Sequence, residues 1–166
     1  LCTDKTGTLT DNRMRVALVT ADGTIWRCDS SSTPGATISK VLHVALGASA
    51  QRPTDPMDRA VHQAAVPGQG AAPRRLLQSY GLRADLFATT NIWSEVDGAE
   101  VAAYAKGAPE AISDLCRLSK VDRDKVLKEV DHFAAQGMRL LAVADAKFVP
   151  PDGVHPTSQR DILFNY

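Results

Sequence analysis

Apolar positions along this chain follow two periods, and each predicts its own kind of element. Arg13 to Ala21, an apolar run with β-branched content, reads as a strand, and Thr24 to Cys28 as its hairpin partner. Asp22-Gly23 between them is a strong turn signal. The Ser- and Pro-bearing stretch Ser30 to Gly35 reads as a loop. The period then lengthens to that of a helix. Thr37 can cap a segment in which Ile38, Val41, Leu42, Ala45 and Leu46 form one apolar stripe, ending near Gly47 to Ser49. A second helix is predicted from Asp55 as cap and Pro56 in the first turn, with Met57, Ala60, Val61 and Ala64 on one face. The two helices are expected to pack together, and Pro67 to Pro73 to be a flexible connection.

From Leu82 the pattern turns strand-like again, with an apolar patch at Leu86-Phe87, then Ile92 to Val96 and Glu100 to Ala105 around a hairpin turn at Asp97-Gly98. Pro109 starts a helix that carries Ile112, Leu115 and Cys116 inward. Asp122 to Gln136 is another, with Val126, Leu127, Val130, Phe133 and Ala134 in one stripe and Gly137 as its stop. Arg139 to Ala146 reads as a last buried strand, followed by a Pro- and Gly-bearing tail. Hairpin strands interrupted by helix pairs predict an α+β fold, an antiparallel sheet with helix pairs packed against it.

Composition narrows the function classes. At 166 residues the chain is one domain by the usual prior, with equal numbers of acidic and basic residues. A net charge of zero gives no case for nucleic acid as a partner. The three cysteines, Cys2, Cys28 and Cys116, are far apart, which suits a reducing compartment and argues against a disulfide framework. The four histidines are too scattered to predict a metal site. No run approaches the roughly 18 apolar residues of a membrane span. The chain begins at Leu1 with a polar motif directly behind it, so a fragment of a longer protein is expected.

That motif is the first candidate for chemistry. Leu1-Cys2 would bring a strand up to Asp4, and Thr6-Gly7-Thr8 would turn the backbone so that hydroxyls and N–H groups surround one carboxylate. Such a carboxylate can attack phosphorus when cations offset the incoming charge, giving Lys5, Thr6 and Thr8 supporting roles. A plain polar corner is the structural alternative. The second candidate is Lys106-Gly107-Ala108-Pro109-Glu110, where a strand-end lysine supplies a point charge for phosphate oxygens and a glycine permits close approach of backbone to a ligand. An exposed lysine in a strand-to-helix turn is the alternative there.

Asp4 to Thr10 (DKTGTLT) resembles the phosphorylation signature of P-type ATPases, and Lys106 to Glu110 (KGAPE) is similar to the hallmark of their nucleotide-binding domain. Phe87 to Ser94 (FATTNIWS) resembles the family segment Phe-Ser-Ser-x-x-Lys-Trp-Ser, with Ile92 standing where that family usually has a lysine or arginine. The resemblance implies that Asp4 is phosphorylated and that Asp4 and Thr6 face Mg²⁺. It further implies that Phe87 stacks on adenine, that Gly107 lets the backbone approach the nucleotide and that Lys106 and Arg139 serve the ATP phosphates, a surface arginine being the alternative for Arg139. Phe87 as core filler and Trp93 as the stacking ring are alternatives. In Asp55 to Ala60, Asp58 takes the place of the acid that bonds the adenine amino group, a plain solvated carboxylate being its alternative.

The implied organisation is a phosphorylation-domain stub and hinge over residues 1–12, a nucleotide-binding domain over 13–160 and a return segment over 161–166. The parent would be a cation pump in a membrane, with this part cytoplasmic, clear of the bilayer, and partnered by phosphorylation, actuator and membrane domains. The fragment lacks the family's Gly-Asp-Gly-x-x-Asn-Asp segment, so it is expected to bind ATP weakly, on the order of millimolar, without turnover. Two other classes compete. One is a phosphatase or phosphotransferase of the haloacid dehalogenase superfamily, against which Thr6 stands in place of a second acid. The other is a non-catalytic interaction module, favoured by Ile92.

Overall fold

The computed structural model describes residues 13–28, 32–65, 75–94 and 99–166. Asp4, Lys5, Thr6 and Thr8, the Pro67 to Pro73 connection and the Asp97-Gly98 turn lie outside them. Contacts divide the chain into two units, Leu1–Gly70 and Ala71–Tyr166. The described residues form an α+β protein with two antiparallel sheets and four helices.

The first unit opens with a hairpin, β1 (Leu18–Ala21) against β2 (Thr24–Arg27). Asp22 and Gly23 both take positive φ, +49° and +72°, the pair of left-handed residues a type I′ turn needs to match strand twist. The strand is shorter than Arg13 to Ala21: its register with β2 begins at Leu18, with one further backbone bond from Cys28 N–H to the Ala17 carbonyl. Helix α1 (Ala36–Gly47) starts after Gly35 rather than at Thr37 and buries Ile38, Leu42, Val44 and Ala45. Ile38 and Leu42 pack with Val19 of the hairpin. Helix α2 (Pro56–Ala64) has the expected start. Asp55 Oδ1 accepts from the N–H groups of Met57 at 2.7 Å and Asp58 at 3.3 Å, and Pro56 fills a position that needs no donor.

The second unit is a four-stranded meander in the order β3 (Leu76–Tyr80), β4 (Ala88–Ser94), β5 (Val101–Gly107), β6 (Ala142–Phe148). Between β5 and β6 lie α3 (Pro109–Leu115) and α4 (Lys120–Ala134). Ser119 caps α4 by accepting from Asp122 N–H at 3.2 Å, and Gly137 follows the helix with φ +78°. Ile92, Ala103 and Ala146 are successive partners across the sheet. With Ala88, Val101, Ala105 and Ala144 they form one face, on which Ala111, Ile112 and Leu115 of α3 pack. The small strand side chains let the helix approach closely. On the opposite face Asn91, Trp93, Ala102 and Tyr104 are buried too, so β5 is apolar along its length rather than alternating.

After β6 the chain does not leave this unit at once. Ile162 and Phe164 are buried in the same core, and Asn165 exchanges backbone hydrogen bonds with Asp145 of β6 at 2.8 and 3.1 Å.

Candidate functional site

One end of the second sheet gathers several of the sequence-predicted residues. Lys106 and Gly107 finish β5, paired with Thr89 and Ala88 on one side and with Val143 and Ala142 on the other. Phe87 stands immediately before β4, and Arg139 just before β6, so the approach to each neighbouring strand starts at the sheet end where β5 stops. The backbone closes this end. Ala108 N–H donates to the Phe87 carbonyl at 2.9 Å, joining two motifs that the sequence keeps far apart.

Gly107 has a requirement of its own at this junction. A Cβ there would lie against the Phe87 carbonyl oxygen, 2.7 Å from Ala88 Cα and 2.9 Å from Ala88 Cβ. The close approach that needs glycine is therefore to the adjacent strand's backbone, whatever a ligand adds. The Ala108 hydrogen bond depends on that approach.

Phe87 is 62% exposed, whereas Trp93 is buried at 8%. A half-open aromatic side chain at a sheet end is available for stacking, and neither the core-filler role for Phe87 nor the stacking role for Trp93 agrees with these exposures. Ile92 is wholly buried in the core under α3, so its side chain supplies nothing to a phosphate at the surface. Lys106 is partly buried and Arg139 exposed. Thr89, opposite Lys106 on the same sheet face, has a buried hydroxyl without a hydrogen-bond partner among the described residues. An unpaired buried hydroxyl is costly, which makes Thr89 a candidate that sequence reasoning passed over.

Asp58 belongs to the first unit and the residues above to the second. Its Oδ2 accepts from Ala50 N–H at 3.0 Å, and His62 Nε2 lies 2.9 Å from the Ala50 carbonyl. Its local task is thus to hold the chain between α1 and α2. The residues assigned to metal, Asp4 and Thr6, are outside the described part, and among the described residues no cluster of three or more His, Cys, Asp or Glu could hold an ion. Burial, and then the charge of Asp145, pushes the Cys116 thiol up to about 11, which disfavours its thiolate form.

No protein-family model matches the chain. It is similar to the protein named "Probable cation-transporting ATPase I" in two strains of Mycobacterium tuberculosis, CDC 1551 / Oshkosh and H37Rv, 32% identical over 159 residues in each case. The match takes in 87% of this chain, which spans about 10% of the length of those relatives. No described helix is long and apolar enough to cross a membrane.

Proposed function

We propose that this chain is the nucleotide-binding domain of a membrane cation-transporting P-type ATPase, holding ATP at the sheet end where Phe87 meets Gly107-Ala108. The observation that carries the reading is that junction: the Ala108 to Phe87 hydrogen bond and the glycine it requires bring the backbone of an exposed phenylalanine against the end of the strand that carries the KGAPE lysine. The residues present fit a nucleotide. Phe87 offers a stacking face, Lys106 and Arg139 offer cations for phosphate oxygens, and the Thr89 hydroxyl is a buried group in want of a partner on the Lys106 face.

ATP, when bound, supplies a γ-phosphoryl group, and the resemblance makes Asp4 its acceptor in the parent, with Lys5 and Thr6 beside it and Mg²⁺ held at Asp4 and Thr6. Those roles, and that of Asp58 at the adenine amino group, rest on the motifs. Without the rest of the pump the fragment binds and does not turn over.

An ATP titration followed by amide NMR tests the reading. Saturable shifts at Phe87, Lys106 and Arg139 with a dissociation constant on the order of millimolar are expected. Phe87→Ala should weaken ATP at least about fivefold, the lower end of what a base–aromatic stack contributes. Lys106→Ala should weaken ATP and inorganic triphosphate alike. A folded wild type with no saturable shift up to tens of millimolar (about ten times the expected constant) overturns the reading.

A further inference from the structure

Phe87 is held from the far end of the chain. Carbonyls point alternately to the two sides of a strand: that of Phe87 faces β5 and meets Ala108 N–H, so that of Ala88 faces the β3 side. The last β3 partner of β4 is Tyr80, opposite Thr90, and Ala88 lies beyond it. An unpaired carbonyl is expected there, since Ala88 is wholly buried. Gln159 fills the gap. Its side-chain Nε2 donates to the Ala88 carbonyl at 3.1 Å, its Oε1 accepts from the Thr90 hydroxyl at 2.6 Å, and the residue is only 2% exposed.

The neighbouring residue ties the approach to Phe87 as well. Arg160 Nη2 donates to the Asp85 carbonyl at 2.8 Å and lies 3.7 Å from the Asp85 carboxylate. Asp85 sits in the tight turn from Arg83 to Leu86, which closes with backbone hydrogen bonds of 3.1 and 3.2 Å. Leu86 and Ile162 are buried in one core. The tail thus grips the chain on both sides of Phe87.

We propose that Gln159 is a positioning residue for the Phe87 ring, replacing the strand partner that β3 does not provide, so that adenine affinity depends on a residue of the C-terminal segment. The inference rests on the nucleotide reading above for its ligand but not for its geometry. It also means that a displacement of the segment after β6 is felt at the ring.

The test compares wild type, Thr90→Val, and the pair Thr90→Val with Gln159→Met. In the pair the Thr90–Gln159 hydrogen bond is replaced by apolar groups of similar size and only the Ala88 carbonyl loses its donor, while the single change leaves the Ala88 bond intact. Should the pair not fold, Gln159→Glu takes its place, read above the pH at which that buried carboxyl ionises, where it keeps an acceptor for Thr90 and has no donor for Ala88.

Two readouts are used: binding of ATP and of inorganic triphosphate, and hydrogen exchange of the Ala108 amide. Thr90→Val should bind ATP within about twofold of wild type, and the pair at least about fivefold more weakly, with triphosphate binding unchanged because Lys106 and Arg139 are untouched. Ala108 should exchange faster in the pair while amides along the β5–β6 ladder do not change. A folded pair with wild-type ATP affinity overturns the proposal, whether or not Ala108 exchange changes, and so does equal weakening of ATP and triphosphate. If wild type binds no ATP, the nucleotide reading fails by itself; the Ala108 exchange then decides the tether, faster supporting it and unchanged overturning it.

Discussion

The two units bury their apolar residues in different ways. In the first, Val19, Ile38 and Leu42 join a two-stranded hairpin to one helix, with partly buried side chains such as Val16, Trp26 and Val41 around them. In the second, the core runs from the sheet through α3 to the tail, and the central strands β4 and β5 are buried on both faces. A hairpin has little independent stability, whereas a four-stranded sheet under a helix can hold a fixed geometry. The difference teaches why the exposed Phe87 has a fixed backbone: it belongs to the unit with the larger continuous core.

The largest effect should come from comparing core deletions. Ile112→Ala, at a wholly buried position under the sheet, should cost about 2–5 kcal/mol. It should expose amides throughout β4 to β6 in native-state hydrogen exchange. Leu42→Ala should cost about 2–3 kcal/mol in the first unit and leave those sheet amides protected. Loss of protection in both units from Leu42→Ala would show one cooperative core instead of two.

Gly107→Ala ranks next. The added methyl must push the Phe87-Ala88 backbone aside, at about 1–3 kcal/mol. The expected signature is local: faster exchange at the Ala108 amide and weaker ATP binding, with α1 and α2 unaffected. A variant as stable as wild type, with an unchanged Ala108 amide, would show that the close approach is not required.

Asp55→Ala removes the acceptor for Met57 and Asp58 N–H and should cost about 1 kcal/mol, read by thermal melting. Its exchange signature should stay within α2.

The smallest effect concerns pH. The Asp85 carboxyl is lowered chiefly by the hydrogen bond from Arg83, with its own backbone N–H and the charges of Arg83 and Arg160 adding to it. A lowered folded-state pKa contributes stability that is fully present above the ordinary carboxylate value, near 3.9, and is lost as pH falls through the folded value. The chemical shift of Asp85 should therefore titrate below that of a free aspartate, and Arg83→Gln should move it back up. A midpoint unmoved by Arg83→Gln would remove Arg83 as the cause.

Much of the fold was legible in the chain because its signals were local. Asp22-Gly23, the Asp55-Pro56 start, Pro109 and Gly137 each act through their own backbone, and each stands where the sequence put it. Strand β3 was not anticipated. As an edge strand it has a mostly exposed, non-alternating pattern, so periodicity carried no trace of it. The boundaries of β1 and β6 moved for a related reason: a strand lasts only as long as its partner does.

The site divides the same way. Phe87 and Arg139 were picked out by short strings that resemble a family's motifs, and Lys106 and Gly107 also by residue type, a cation beside a glycine at a strand end. Which ring is open, why position 107 must be glycine, and why Ile92 is core depended on cross-strand register, a property of pairs of segments. Gln159 had no local signal at all. Its partner Ala88 lies 71 residues away, and the want of a hydrogen bond at that carbonyl arises only once β3 has ended at Tyr80. The sequence by itself determined the elements and the chemistry on offer; the tertiary structure alone decided which backbone groups were left unpaired and what came to satisfy them.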